Sequence, residues 1–183
     1  MSSRAGRTLA NSADALDRLW APYRSAYLGE QGNGGNSGSV DPDDPFIGLP
    51  DKSDEDGLIV ARGDDVFCIL NLYPYNPGHM MVLPYRKVAS YEDLSDAETS
   101  ELALFTKKAV RVLREVSAPD ALNIGMNLGR ASGGSVPGHL HQHIVPRWQG
   151  DTSFMTVLSG SKVLIQVLGE TRELLATAWQ QLD

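Results

Sequence analysis

Residues 57–86 read GLIVARGDDVFCILNLYPYNPGHMMVLPYR, and the way this stretch breaks up decides the fold class. LIVAR, VFCILNL and HMMVLPY are short β-rich runs, separated by the turn-formers of GDD and YPYNPG. The first two read as a hairpin. Downstream, SDAE at 95–98 is a capping box, with Ser95 as N-cap and Glu98 three residues on. It opens a helix through Leu102, Leu104, Phe105, Ala109, Val112 and Leu113 that ends near Ser117, before Pro119. Two more strands are expected, ALNIGMNL at 121–128 and HLHQHIVPR at 139–147, with the glycine-rich GRASGGSVPG between them. Strands clustered around one long helix predict an α+β fold, with an antiparallel sheet of about five strands and a long central helix. A C-terminal helix is expected over roughly Lys162 to Leu182, its apolar stripe including Val163, Leu164, Val167, Leu168, Leu174, Leu175 and Trp179.

Outward from this block the chain changes character. Residues 13–28, ADALDRLWAPYRSAYL, place Leu16, Leu19, Trp20, Tyr23 and Tyr27 at helical spacing, with Pro22 marking a kink or a late start. Residues 1–29 therefore read as an N-terminal arm with a helix. In residues 30–56 glycine, proline and acidic side chains crowd out apolar ones except in FIGLP, which reads as a flexible linker. Residues 57–183 form the expected main domain. A chain of 183 residues with 42% hydrophobic content can bury one good core. The net charge of −7 argues against broad nucleic-acid binding, so an anionic ligand must be met by local groups. No apolar run approaches the roughly 20 residues of a membrane span, and the N-terminus lacks the apolar centre of a signal peptide. A cytoplasmic protein is expected. Cys68, the single cysteine, sits in the apolar run VFCIL, where a buried, inert thiol is expected.

Three of the four histidines fall at 139, 141 and 143. On a strand they project from one face, while Leu140, Gln142 and Ile144 project from the other. One metal ion is a poor match for all three. Same-face neighbours lie roughly 7 Å apart, so two imidazoles can share a zinc, but the outer pair is separated by about twice that distance. Solvated polar residues are the plainest alternative. The spacing also suits three separate jobs along a phosphate chain: attack, proton donation to the leaving group, and orientation. Neighbouring imidazoles oppose one another's protonation, which favours a neutral, nucleophilic middle ring.

HLHQHIV resembles the signature of the histidine triad (HIT) superfamily. FCILNLYPYNPGHMMVLPYR is similar to that family's upstream hairpin, and NLGRASGGSVPG to the loop before its triad. Gln142 departs from the pattern by occupying an apolar slot on the far face. The resemblance implies a HIT-like fold over about residues 57–150. It implies that His141 is the nucleophile that becomes nucleotidylated, that His143 contacts the phosphate and helps protonate the leaving oxygen, and that His139 and His79 orient the cluster. Asn71 matches the position that holds ribose hydroxyls, and the base pocket should be apolar. Ile69 and Met81 are candidates to line it, with Phe46 and Ile47 as covers, against ordinary core packing for all four. Asn127, Gly134 and Ser135 are candidate phosphate contacts. The glycine loop lacks the Gly-Lys-Ser/Thr of a Walker loop, and plain turn chemistry is its alternative. Trp148 would wall the substrate or anchor the core, and Arg147 would steer anions or simply end a strand in solvent.

Within the superfamily, the blocks with their N-terminal arm look most like the actinobacterial diadenosine tetraphosphate phosphorylases of the triad type. This likeness implies phosphorolysis to ADP and ATP, with inorganic phosphate as acceptor. A hydrolase acting on dinucleoside polyphosphates or nucleoside phosphoramidates is the nearer alternative, and a non-catalytic nucleotide- or metal-binding module the more distant one. No catalytic metal or other cofactor is expected, though magnesium can accompany the polyphosphate. The family also implies a homodimer or higher homo-oligomer.

Overall fold

The computed structural model describes residues 44–151 and 167–182. The expected N-terminal arm, the first part of the linker, and Val163 and Leu164 lie outside the described residues. Five strands, β1 (Ile59–Arg62), β2 (Val66–Leu70), β3 (Met80–Pro84), β4 (Ala121–Met126) and β5 (Gln142–Arg147), form one sheet in the order β1-β2-β3-β5-β4. Every neighbouring pair is antiparallel. Helix α1 (Asp96–Ser117) links β3 to β4, and α2 (Leu168–Gln181) ends the described chain. The expected α+β architecture and the β1–β2 hairpin are both present. The hairpin turn is tied to α1, because the Glu101 carboxylate accepts from the backbone N–H groups of Asp64, Asp65 and Val66 at 2.9, 2.6 and 2.8 Å.

Strands β2 and β3 are buried along their whole length, which explains why they read as unbroken apolar runs rather than alternating ones. Cys68, Leu70, Met80, Val82 and Ile144 face a core completed by Leu102, Ala109, Val112 and Leu113 of α1 and by Leu175, Ala178 and Trp179 of α2. The opposite face carries Ile59, Phe67, Ile69, Met81 and Leu83, covered by Phe46 and Val136. Cys68 is fully buried, and burial alone raises its thiol pKa, in keeping with an inert side chain.

Three expectations need correction. Residues 44–56, expected to be flexible linker, are packed in part: Asp44 and Phe46 are both buried. Among the described residues the C-terminal helix runs from Leu168, with Val167 extended and exposed at its N-cap rather than in the apolar stripe. Leu104 and Leu174 are 64% and 54% exposed and do not belong to the apolar stripes. At about 100° per residue, Leu104 points away from Leu102, and Leu174 lies a full step from the buried Leu175.

Helix α1 opens with both halves of its capping box formed: Glu98 N–H donates to Ser95 Oγ at 3.1 Å, and Ser95 N–H to Glu98 Oε2 at 2.7 Å. Arg86 grips the same carboxylate through Nε and Nη2 at 2.9 and 2.7 Å. This pairing, with the cap, holds the Glu98 carboxyl well below its usual value of 4.5, at about 2. A depressed carboxylate pKa stabilises the fold above the unfolded-state value, and the contribution is lost as pH falls through the folded one. With screening at the exposed Arg86 side, Glu98→Gln should cost about 1–2 kcal/mol at pH 7. Urea denaturation at pH 7, 5 and 3 should show the gap between the proteins narrowing with acidity; a gap independent of pH would contradict this account.

Candidate active site

Strand β5 starts at Gln142, so of the three aligned histidines only His143 belongs to the sheet. His139 and His141 precede it in a segment fixed by its own bonds, including Leu140 N–H to Val88 carbonyl at 2.6 Å. This corrects the expectation of a strand through all three. The faces were assigned correctly nonetheless: Gln142 turns toward α1 and donates to Thr106 Oγ1, while His143 lies on the other side. His141 and His143 rings are 4.9 Å apart between centroids, and His143 and His79 rings 5.1 Å.

The partners of each ring fix where its protons sit. His141 Nδ1 lies 2.8 Å from the His139 carbonyl oxygen, which can only accept. Nδ1 therefore carries the proton, and in the neutral ring the Nε2 lone pair faces outward. Among the described residues Nε2 has no partner, and no side-chain nitrogen or oxygen there is both buried and unsatisfied, so solvent reaches it. Burial is the main cause that lowers the His141 pKa, with the nearby His139 adding to it; the His139 carbonyl and Asp44 oppose the shift. The ring is kept neutral near pH 7.

A second chain of bonds orients His143. The Tyr75 backbone N–H donates to His79 Nδ1 at 3.1 Å, with the Asn71 amide 3.3 Å from the same atom. His79 must then hold its proton on Nε2, which donates to His143 Nδ1 at 3.0 Å. A neutral His143 consequently carries its proton on Nε2, 3.4 Å from Asn127 Nδ2; the Asn127 carboxamide can accept that proton only with its oxygen turned to the ring. The Tyr75 ring is stacked on His143 at 5.9 Å with an interplanar angle of 26°. Lone pair on one ring and proton on the next is the pairing that displacement at phosphorus requires.

His139 has a different environment. Both of its nitrogens are occupied: Nε2 donates to the Pro84 carbonyl at 2.9 Å, and Nδ1 lies 3.0 Å from Asp44 Oδ2. Asp44 has no exposed surface. It also accepts from the Phe46 backbone N–H at 3.1 Å and lies 3.5 Å from Lys87 Nζ. The Phe46 ring meets His139 edge-on at 5.7 Å and His141 at 5.0 Å. Segment 44–46 is thus pinned by its acid and laid over the histidines by its aromatic ring.

The remaining predicted residues divide. Asn127 and Gly134 are brought together: a Cβ on Gly134 would come within 2.9 Å of Asn127 Cβ, so only glycine permits this approach. Ser135 is half-buried in the same loop. Ile69 and Met81 face each other across β2 and β3, but as buried core beneath Phe46 rather than an open pocket. Asn71 accepts from Tyr73 N–H at 3.0 Å, so it does turn work as well as touching His79. Trp148 is half-buried past β5 and does not line the cleft at His143. That cleft, of about 410 Å³, is lined by Tyr75, Asn123, Gly125, Asn127, Val145 and Arg147 among others. Sequence reasoning passed over Asp44 and Tyr75. The signal for Asp44 was the apolar FIGLP patch, which drags the acid two residues before Phe46 inward; Tyr75 had none beyond its place in a turn.

Comparison with known proteins gives a consistent picture. Residues 52–150 match the HIT domain. The chain is 54% identical over 167 residues to an AP-4-A phosphorylase of Mycobacterium tuberculosis, covering 91% of this chain and 86% of that one. It is 39% identical over 84 residues to an asymmetrical bis(5'-nucleosyl)-tetraphosphatase of Schizosaccharomyces pombe, covering 46% of each. The crystal structure of a Zn-bound histidine triad family protein from Mycobacterium smegmatis superposes with a TM-score of 0.56 at 26% identity, over 68% of this chain and 84% of that one.

Removing one partner of a buried pair leaves the other uncompensated. Asp44→Ala should therefore cost about 3 kcal/mol by urea denaturation, and Asp44→Asn, which keeps an acceptor for His139, clearly less. An Asp44→Ala protein within about 0.5 kcal/mol of the parent would show that the pairing contributes little.

Proposed function

The chain belongs to the HIT domain family, and from that premise we propose that it transfers a nucleotidyl group through a covalent intermediate on His141, splitting diadenosine tetraphosphate with phosphate into ADP and ATP. The observation that carries the chemistry is the His141 ring itself: Nδ1–H is held by the His139 carbonyl at 2.8 Å, and Nε2 is left open beside His143. In the first displacement Nε2 attacks the α-phosphorus. The bond from phosphorus to the bridging oxygen breaks, ATP departs, and the His143 Nε2–H meets the charge on the departing oxygen. In the second, an oxygen of inorganic phosphate attacks the same phosphorus, the phosphorus–nitrogen bond breaks, ADP leaves and His141 is regenerated.

Asn127, Ser135 and the Gly134 backbone N–H are assigned to the non-bridging oxygens and the incoming phosphate, where fixed donors stabilise developing charge without neutralising His141. Phosphate rather than water is chosen as acceptor from the similarity to the Mycobacterium tuberculosis protein over most of both chains. Water in its place would make the protein a hydrolase yielding AMP and ATP. The base is assigned to the Phe46 side of the sheet, against the exposed Ile47 and beside the buried Phe46, Ile69 and Met81. Asn71 is better suited to holding His79 than ribose, since its carboxamide oxygen already accepts from Tyr73 N–H. No metal is assigned to these steps: both nitrogens of His139 are hydrogen-bonded within the protein, and Nε2 of His141 and of His143 are given to the phosphorus and the leaving oxygen. Magnesium, where present, accompanies the polyphosphate. A homodimer or higher homo-oligomer fits β4, which among the described residues is an edge strand with exposed side chains.

The product pair decides the reading. Diadenosine tetraphosphate in phosphate buffer should give ADP and ATP, and AMP in place of ADP would assign the hydrolase. His141→Asn should abolish both turnover and the nucleotidyl mass increment on the intact protein. Because burial lowers the His141 pKa from 6.5, nucleotidyl-enzyme formation should reach half its maximal rate below pH 6.5. Rapid-quench measurement of that step checks it, and a midpoint above that pH would contradict a buried neutral nucleophile.

A further inference from the structure

Two carboxylates are buried among the described residues, Asp44 and Glu98. Glu98 is accounted for by the α1 cap and by Arg86, whereas Asp44 belongs to no helix and has no exposed surface. A carboxylate leaves water only where the fold supplies partners, so its partners show what it is for. Its two oxygens lie 3.2 and 3.0 Å from His139 Nδ1. Oδ1 also accepts from the Phe46 backbone N–H at 3.1 Å, and the exposed Lys87 reaches Oδ2 at 3.5 Å from the solvent side. Both of the segments held in this way, at His139 and at Phe46, touch His141.

The first route runs through His139. With Nδ1 at the carboxylate and Nε2 donating to the Pro84 carbonyl at 2.9 Å, the ring is fixed at both nitrogens, and Leu140 N–H to the Val88 carbonyl fixes the backbone beside it. That backbone carries the carbonyl oxygen that takes His141 Nδ1–H at 2.8 Å. The second route is Phe46, whose N–H is on Asp44 and whose ring meets the His141 ring at 5.0 Å. His141 is thus held at one nitrogen and against one neighbouring ring by groups that share a single carboxylate. A neutral imidazole has one N–H and one lone pair, and without the carbonyl either nitrogen can take the proton. A ring with its proton on Nε2 has no lone pair for phosphorus, so the share of molecules in the Nδ1–H form sets the share able to attack.

We propose that Asp44 is a positioning residue for nucleotidyl transfer: through His139 and Phe46 it fixes His141 in the tautomer whose Nε2 lone pair is free to attack. Asp44 acts through these two neighbours and touches no reacting atom. The effect on rate rests on the nucleotidyl-transfer reading above, whereas the tautomer is a property of the protein alone and is observed without substrate.

The test reads both. In protein with isotope-labelled histidines, long-range proton–nitrogen NMR correlation shows which nitrogen of each ring carries the proton. The parent should show His141 protonated at Nδ1, and Asp44→Ala should bring in the Nε2–H form. In phosphate buffer, kcat of that variant for diadenosine tetraphosphate should fall about fivefold or more, with KM within about threefold of the parent. Asp44→Asn, which keeps an oxygen for the ring and for the Phe46 N–H, should recover most of both. Asp44→Ser, polar but too short to reach both partners, takes the place of the alanine variant if that protein does not fold. An acid with a structural role alone would lower thermal stability and leave the His141 resonances of the folded protein as they are. Unchanged resonances, a smaller fall in kcat, or a loss carried by KM overturns the role. A parent that shows the Nδ1–H ring but forms no nucleotidyl-enzyme overturns the transfer reading, and a proton shift in Asp44→Ala then still supports Asp44 as the residue that fixes the ring.

Discussion

An imidazole has two nitrogens, and it serves as a nucleophile through one only if the other is reliably occupied by a proton. Here that condition is met by a backbone carbonyl, since His141 Nδ1–H lies 2.8 Å from the His139 oxygen. A carbonyl has no proton to exchange, so the tautomer is set by the path of the chain between two residues. The path in turn depends on what anchors His139, whose ring is tied to Pro84 on β3 and to Asp44. His141 is therefore positioned by a segment nearly a hundred residues away in sequence, through a ring whose own nitrogens are both engaged.

The second ring relay works in the opposite sense. From the Tyr75 N–H through His79 to His143, each donor forces the next proton outward, until the His143 proton lies on Nε2. Two histidines separated by one residue thus present opposite chemistry, a lone pair and a proton, because one is bonded to an acceptor and the other to a donor. Spacing alone could not have produced that difference. It arises because His143 is paired with Met81 across the sheet, near His79, while His141 lies ahead of the strand.

These distinctions explain what was legible in the sequence. Element types and order could be read because β2 and β3 are apolar throughout and because the Ser95–Glu98 box marks the start of α1. Gln142 could be assigned to the far face from strand period alone, and it does face α1. Leu104 and Leu174 were misplaced because hydrophobicity was counted without following the helical angle. Asp44 was marked only by the apolar FIGLP patch beside it, since a carboxylate in a Gly-, Pro- and Asp-rich run otherwise looks like its solvated neighbours until its partner is known. Ile69 and Met81 show the limit on the other side: their face was right, but sequence could not reveal that Phe46 covers them.

One row across the sheet, Ile59, Ile69, Met81, His143 and Gly125, gives the site a polarity that neither the histidines nor the loop carries alone. Large apolar side chains fill the row from Ile59 to Met81, an imidazole sits at its turning point, and the last position has no side chain at all. A flat sheet surface would present phosphorus with equivalent sides. Filling one end and emptying the other makes them unequal. Arg147 reinforces the asymmetry by standing two same-face steps beyond His143, on the side away from His141.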